Sequence, residues 1–228
     1  KDDGPGITYT YDCMNRLTQV RDEDGQVRST YAYDMSGHLV EWTNGAGYTT
    51  YYTYDYLGNR LGMWEPVEQS DDDRGVVLYR ATLYDYDSES NKIRERRGLD
   101  KVGAHQIPQR THEIWFGYDA LNRLVSVEDL HGAKAAYRYN GLNQKIYESF
   151  RISADVNRVI QYEYDALGNL TARKERIEER FLKPNRKERT VWAVTKYEYD
   201  ANGNCVRLVT PKGYEKQWKY DALDRVVG

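Results

Sequence analysis

Pairs of aromatic residues separated by one position recur along the whole chain and are its strongest pattern. The second member of each pair is a tyrosine, here called the key tyrosine, and the nine key tyrosines are Tyr11, Tyr33, Tyr54, Tyr86, Tyr118, Tyr139, Tyr164, Tyr199 and Tyr220. The first members are Tyr9, Tyr31, Tyr52, Tyr84, Phe116, Tyr137, Tyr162, Tyr197 and Trp218. Because side chains alternate between the two faces of a strand, the pattern predicts nine strands that carry both rings on one face.

An acidic residue and turn-forming residues follow the key tyrosines. The aspartates are Asp12, Asp34, Asp55, Asp87, Asp119, Asp165, Asp200 and Asp221, and the copy at Tyr139 has Asn140 instead. The clearest copy, residues 164–170, reads Tyr-Asp-Ala-Leu-Gly-Asn-Leu. An aspartate can accept hydrogen bonds from backbone N–H groups about two residues on, and Gly or Asn tolerates a positive φ. Each copy therefore predicts a turn capped by its aspartate.

An aliphatic residue after each turn predicts a returning strand, so each repeat is expected to be a β-hairpin. It comes six residues after the key tyrosine at Leu17, Leu39, Leu124, Leu170 and Val226, and seven residues after it at Leu61, Ile93, Ile146 and Val206. This difference of one residue predicts either two turn lengths or a bulge. Second turns, which join one hairpin to the next, are predicted at Asp24-Gly25, Asn44-Gly45, His131-Gly132 and Lys212-Gly213.

The repeat extends over the whole chain with polar insertions. Successive key tyrosines are 22, 21, 32, 32, 21, 25, 35 and 21 residues apart. A basic unit of this length is typical of repeat architectures, and we predict a single array of about nine hairpins over residues 1–228, with no separate domain boundary.

The insertions lie at Glu65–Gly75, Arg94–Pro108 and Ala172–Arg189. The last is predicted to be a long hairpin with its turn near Pro184. A charged helix over Arg173–Phe181 is the alternative.

Composition indicates a folded β-protein with little aliphatic core. Leu, Ile, Val and Phe make up about 19% of the chain, a low share, but 22 tyrosines and 5 tryptophans accompany them. Tyrosine suits a thin sheet because its ring packs while its hydroxyl tolerates water. A net charge of -3 gives no general attraction to nucleic acid. No apolar run is long enough to span a membrane, and no export signal is expected at the start.

Residues with catalytic or metal-binding chemistry do not form a recognisable motif. His38, His105, His112 and His131 lack metal-ligand spacing, and no nucleophile motif is present. Asp22–Gly25 and Asp71–Asp73 resemble pieces of calcium loops without the full ligand spacing. Cys13 and Cys205 are predicted to be free thiols. We therefore expect no catalytic site, no metal and no cofactor.

Two groups of residues are candidates for binding. Trp42 and Trp64 lie outside the paired positions and are predicted to be exposed contacts for sugar rings. The basic runs Arg94–Arg97 and Arg173–Arg176 could bind polyanions, but neighbouring glutamates dilute their charge, so a solvated face is favoured.

The ninefold tyrosine–aspartate repeat resembles the YD-repeat (RHS-repeat) family, which includes bacterial RHS and wall-associated proteins, the encapsulating subunits of insecticidal Tc toxins, and teneurins. The resemblance implies an all-β fold, a repetitive antiparallel hairpin ribbon that spirals into a shell. This chain would be an open, curved excerpt of such a shell. Its exposed strand edges could pair with another copy.

The resemblance also implies a function and partners. The chain is expected to be a non-enzymatic segment of a shell or scaffold that encloses or displays a toxin or effector polypeptide, in a secreted or cell-surface protein. Its partners would be the remainder of its own polypeptide and an enclosed C-terminal domain. A cell-surface carbohydrate-binding module is the alternative, and no nucleic-acid partner is expected.

Overall fold

The computed structural model describes residues 6–67, 77–130, 132, 134–152, 157–178 and 190–228. It divides into two compact units, Lys1–Phe116 and Gly117–Gly228. All regular secondary structure in these described residues is β-strand, and no helix there is long and apolar enough to cross a membrane. The prediction of a single array over residues 1–228 stays a prediction.

The first unit is an antiparallel ribbon in which each strand pairs with its neighbours along the chain. Its strands are β1 (Thr8–Tyr11), β2 (Leu17–Arg21), β3 (Val27–Tyr33), β4 (Leu39–Asn44), β5 (Thr49–Tyr54), β6 (Arg60–Val67), β7 (Leu78–Tyr86), β8 (Lys92–Gly98) and β9 (Thr111–Tyr118), the last of which ends two residues beyond the unit.

The second unit repeats this arrangement. Its strands are β10 (Leu124–Asp129), β11 (Lys134–Tyr139), β12 (Lys145–Arg151), β13 (Asn157–Tyr164), β14 (Leu170–Glu178), β15 (Thr190–Tyr199), β16 (Cys205–Val209) and β17 (Glu215–Gln217). In neither unit do the described pairings join the first strand to the last. The predicted all-β fold, a repetitive antiparallel hairpin ribbon, is confirmed.

The hairpins whose pairing is described share one register and carry a bulge, so of the two predicted alternatives the bulge is found and two turn lengths are not. The key tyrosine pairs with the residue six positions later whether that residue is Leu39, Arg60 or Lys145. A bulge immediately before the tyrosine accompanies the pairing in each of these hairpins. Aliphatic residues at the seventh position therefore point to the opposite face of the sheet, and Leu61, Ile93 and Ile146 are exposed there.

The second turns are confirmed at Gly25, Gly132 and Gly213, each of which has a positive φ. His131 lies outside the described residues. The turn predicted at Asn44-Gly45 is also confirmed: the Asn44 carbonyl accepts from the Gly47 N–H at 2.9 Å, and the positive φ belongs to Gly47 (φ 83°). Asn44 caps this turn: its Oδ1 accepts from the backbone N–H groups of Ala46 and Tyr48 at 3.0 and 3.1 Å.

The longest insertion extends a hairpin, as predicted. Ala172 pairs with Lys196, and the ladder continues to Glu178 opposite Thr190. The alternative of a helix is wrong for residues 173–178, which belong to β14. The turn predicted near Pro184 lies outside the described residues.

The insertion between β8 and β9 folds back over the sheet as a strap, residues 99–110. Val102 forms a two-bond bridge with Tyr79, and Arg110 forms an ion pair with Asp100. The strap covers a cluster of Trp64, Tyr79, Ala81 and Leu83. Among the described residues, no large side chain is completely buried. The expected thin core is therefore confirmed, and this cluster is its densest part.

Candidate functional site

The repeated turn is held by the carboxylate that follows each key tyrosine. In the seventh copy, Asp165 Oδ1 accepts from the backbone N–H groups of Leu167 at 2.9 Å and Asn169 at 2.8 Å. Gly168 lies between these residues with φ 93°. The same pair of bonds caps the other turns, and Asn140 makes it through its amide oxygen. The predicted turn cap is confirmed, and Asn can replace Asp in it.

In five copies, a second side chain, five residues after the key tyrosine, hydrogen-bonds both its own turn and the following one: Arg16, Asn59, Arg123, Gln144 and Asn204. In the first copy, Arg16 Nε donates to Asp12 Oδ2 at 2.7 Å, and Arg16 Nη1 donates to the Asp34 carbonyl of the following turn at 3.1 Å. Gln144 similarly contacts both its own Asn140 and the Gly168 carbonyl. We call this arrangement the turn latch. Through the turn latch, a residue of one turn also contacts the neighbouring hairpin.

These hydrogen bonds stabilise the ionised aspartates. The backbone N–H of Asn169 lowers the pKa of Asp165 below its usual value, and the Asn169 amide adds to this effect against the opposing influence of burial. The pKa is also lowered at Asp12, Asp34, Asp55, Asp87, Asp119, Asp200 and Asp221. The turns are therefore most stable when these carboxyls are charged.

The cap predicts the effect of removing one carboxylate. We expect Asp165→Ala to lower the melting temperature by about 2–4 °C, since the N–H groups of Leu167 and Asn169 lose their acceptor. Asp165→Asn should lower it much less, because Asn140 makes the same bonds in its own turn. Differential scanning calorimetry distinguishes the two variants, and equal melting temperatures for Asp165→Ala and the unmodified chain would refute the role of the cap.

Acid should destabilise the fold through the same carboxyls. A pKa that is lower in the folded state contributes stability above the unfolded-state value and loses it as the pH falls through the folded-state value. We therefore expect the melting temperature to fall steeply below about pH 4, where unfolded aspartates begin to take up protons. Glu95 and Glu148, whose pKa values are also lowered, act in the same direction. A melting temperature that stays constant down to about pH 2 would contradict this.

The key tyrosines join neighbouring hairpins on one face of the sheet, here called the tyrosine face. The Tyr54 hydroxyl donates to the Leu39 carbonyl of the preceding repeat at 3.0 Å. The same contact, to the residue six positions after the preceding key tyrosine, is made by Tyr33, Tyr86, Tyr139, Tyr164 and Tyr220. The hydroxyl thus satisfies a backbone acceptor, and the ring packs beside it.

Three cations lie between the paired aromatic rings of neighbouring repeats. Lys145 Nζ is 5.5 Å from the Tyr137 ring centre and 5.6 Å from that of Tyr162. Lys92 is placed in the same way between Tyr84 and Phe116. Arg60 lies between Tyr52 and Tyr84. These cations were not predicted from the sequence, although all three occupy the sixth position after a key tyrosine, where four other copies have leucine.

Two of the cations form ion pairs with buried glutamates. Lys145 Nζ is 2.5 Å from Glu148 Oε2, and the Tyr162 hydroxyl donates to Glu148 Oε1 at 2.6 Å. Burial acts to raise the pKa of Glu148, but the bonds from Lys145 and Tyr162 outweigh it and lower the pKa. Lys92 and Glu95 repeat the pair at 2.7 Å. Each glutamate is under 10% exposed and fully engaged by neighbouring side chains.

The two tryptophans predicted to contact sugars have different surroundings. Trp64 is 4% exposed, lies on the face opposite the tyrosine face, and donates its Nε1–H to the Gln106 carbonyl at 2.9 Å. The expectation of an exposed contact is wrong for Trp64, because the strap covers its ring. Trp42 pairs with Tyr31 on the tyrosine face and is 37% exposed, so its glycan contact stays a prediction.

The basic run of β8 is engaged by acidic side chains. Arg94 and Arg96 form ion pairs with Asp85 at 2.6 and 3.1 Å, and Arg97 pairs with Glu95 at 2.7 Å. These ion pairs neutralise part of the charge of the run, and the favoured solvated face stays a prediction. In the second run, Arg173 pairs with Glu175.

The other candidate ligands remain dispersed. Cys13 and Cys205 are free thiols. Among the residues that the structure describes, no group of three or more His, Cys, Asp or Glu side chains is placed to hold a metal ion.

Comparison with known proteins gives family matches to two parts of the chain. A family model described as teneurin YD-shell matches residues 2–183, and one described as RHS repeat matches residues 199–228. A search of curated proteins gives no match.

Solved structures with a similar chain path include TcdB2-TccC3-TEV (TM-score 0.41, 12% identity, 98% of this chain and 14% of that one). They also include TcdB2-TccC3-Cdc42 (TM-score 0.35, 14% identity, 97% and 15%). TcdB2-TccC3 without its hypervariable C-terminal region is a third (TM-score 0.36, 11% identity, 97% and 15%). This chain therefore spans about one-seventh of the length of the structures it matches.

Proposed function

Because the chain belongs to the teneurin YD-shell family, we propose that it is a non-enzymatic structural segment of a β-sheet shell or scaffold that encloses or displays a toxin or effector polypeptide. The observation that carries the proposal is which groups the repeated residues hydrogen-bond to. The aspartates bond to their own turn, the latch residues bond to the following turn, and the key tyrosines bond to the preceding hairpin. These side chains therefore serve to hold the turns and to connect one hairpin of the sheet to its neighbour.

The tyrosine face supports a wall role in a second way. Aromatic rings, hydroxyls and the Lys145–Glu148 pair join neighbouring hairpins without a second layer of aliphatic residues. Cross-strand aromatic pairs contribute roughly 0.2–1 kcal/mol each over alanine pairs, so a long ladder of them can replace a thick core. A sheet stabilised in this way can form the wall of a cavity. The partners proposed for it are the remainder of its polypeptide and an enclosed C-terminal domain.

Protease protection tests the enclosure. The natural polypeptide that contains this chain is digested, and the survival of its C-terminal part is compared with that part expressed alone. We expect protection in the whole protein and faster digestion when Asp165→Ala and Asp200→Ala weaken two turns. The matched pair Asp165→Asn and Asp200→Asn should retain protection. Equal digestion of the C-terminal part inside and outside the whole protein would refute enclosure.

A carbohydrate-binding role is the second candidate, and the exposure of Trp42 favours it. An aromatic ring on an exposed sheet face can stack on a sugar, and such a role fits the proposed location of the protein, secreted or at the cell surface. Binding on a glycan array that is lost with Trp42→Ala would support it. Absence of binding to a broad array would remove this candidate.

A further inference from the structure

The chain contains three Asn-Gly dipeptides, each in a turn of the sheet: Asn44-Gly45, Asn140-Gly141 and Asn202-Gly203. This dipeptide is chemically labile, because glycine has no side chain to hinder the attack of its backbone nitrogen on the preceding Asn side chain. Asparagine is for this reason among the thermolabile residues. Since the three dipeptides have the same chemistry, differences in their reactivity depend on the structure around them.

The reaction is a deamidation that needs only water. At Asn202, the backbone nitrogen of Gly203 loses its proton to hydroxide, attacks Cγ of Asn202 and forms a new C–N bond. The Cγ–Nδ2 bond breaks, and the amide leaves as ammonia with a proton taken from water. Water then opens the five-membered succinimide at either carbonyl and leaves an aspartate or an isoaspartate. The side chain and the backbone must both rotate to close the ring, so hydrogen bonds that hold them slow the reaction.

Two of the three asparagines are held in place as turn caps. Asn140 Oδ1 accepts from two backbone N–H groups at 2.9 and 3.0 Å, and its Nδ2 donates to Gln144 Oε1 at 2.7 Å. Asn44 Oδ1 accepts the corresponding pair of bonds, and the Asn44 backbone pairs with Ser29 in the neighbouring strand. Both side chains are half-buried. Closing the ring at either residue therefore breaks the cap of its own turn.

Asn202 differs because it lies at the exposed tip of the eighth turn, two residues after the cap Asp200. Its side chain makes a single hydrogen bond to the part of the chain that the structure describes, from Nδ2 to Asp224 Oδ1 at 3.1 Å. Gly203 has φ 85°, and its N–H donates to the Asp200 carbonyl at 3.1 Å. Opening this turn bond frees the attacking nitrogen and leaves the paired strands intact.

Deamidation at Asn202 would also change the contact between the eighth and ninth turns. Asp224 Oδ1 accepts from Asn204 Nδ2 at 2.7 Å as well as from Asn202 Nδ2. The new carboxylate has no proton to donate at neutral pH, and it would lie against the carboxylate of Asp224. Like charges at hydrogen-bonding distance repel, so the contact from the tip of the eighth turn is lost.

We propose that Asn202 is a site of spontaneous deamidation and that the carboxylate formed there loosens the ninth turn. The modification requires no enzyme and accumulates with the age of the protein. It adds a negative charge to a pair of turns that already carries Asp200, Asp221 and Asp224.

Ageing the whole chain at mildly alkaline pH tests the site, with the other two dipeptides as internal controls. Peptide mapping by mass spectrometry, with fragmentation to locate the change, measures the conversion of each asparagine in the folded chain and in urea. We expect similar rates for all three in urea. In the folded chain, Asn202 should react about tenfold or more faster than Asn44 and Asn140, whose two cap bonds must also break. Equal rates in the folded chain, or a slower rate at Asn202, would overturn the proposal.

The variant Asn202→Asp supplies the product directly and tests its effect on the ninth turn. The matched control Ala201→Asp places the same charge on the same turn and leaves the Asn202 amide in place. The amide of Asp221 donates to the Arg225 carbonyl at 3.0 Å across the ninth turn, and its hydrogen exchange reports on that turn. We expect several-fold faster exchange in Asn202→Asp than in the control or the unmodified chain. Exchange in Asn202→Asp equal to that of the unmodified chain would overturn the loosening.

Discussion

Replacing Trp64 by alanine is expected to lower the free energy of unfolding by about 3–5 kcal/mol, the usual cost of deleting a buried tryptophan. The ring lies over Gly62, where an added Cβ would come within 2.4 Å of a ring carbon. His105 contacts the ring at 5.1 Å between centres. The variant therefore loses the packing of the densest cluster and the hydrogen bond to Gln106 together.

Trp42→Ala provides the matched control. Because Trp42 is 37% exposed, we expect this substitution to lower the free energy of unfolding by only about 1 kcal/mol. Urea unfolding measures both variants, and hydrogen exchange localises the change. In Trp64→Ala, the amide of Val102, which donates to the Tyr79 carbonyl at 3.0 Å, should exchange faster because the strap is released. Equal costs for the two tryptophans would show that the strap does not bury Trp64.

Replacing Lys145 by methionine is expected to lower the free energy of unfolding by about 2 kcal/mol or more, because it leaves Glu148 buried without its cation. Glu148 is 7% exposed and would keep only its bond from Tyr162. The partial exposure of the lysine side chain reduces the cost below that of a fully buried pair.

Two control variants distinguish the effect of breaking the ion pair from the effect of removing a positive charge alone. The double variant Lys145→Met/Glu148→Met should recover much of the stability, since an apolar pair of similar size is tolerated where a lone buried charge is not. Lys174→Met, which breaks the exposed pair with Glu163, should cost under about 1 kcal/mol. Chemical unfolding compares all three variants. A double variant that is less stable than Lys145→Met would contradict this account of the pair.

Local hydrogen-bond chemistry explains why the turns and strands could be predicted from the sequence. An aspartate, a residue that accepts positive φ and a pair of aromatics specify a capped turn and a strand within a few residues. A bulge was one of the two alternatives predicted from the position of the aliphatic residues. The structure shows that the turn and its bulge set the register and that the position of the aliphatic residue does not. The sixth position after the key tyrosine is Leu39, Arg60 or Lys145 in different repeats, and the strand pairing is the same in each.

Contacts between separate repeats explain most of what the sequence did not predict. Trp64 is covered by residues about 40 positions later, so nothing near it in sequence signals its burial. The cations between aromatic rings become visible only when successive repeats are aligned and the neighbouring hairpin is included.

Cryo-electron microscopy of the natural polypeptide that contains this chain tests the shell role most directly. We expect a hollow β-sheet shell whose wall includes the hairpins of residues 1–228, with further polypeptide inside. Hairpins of residues 1–228 that stand apart from any enclosing wall, or pack as a solid two-layer sandwich, would contradict it.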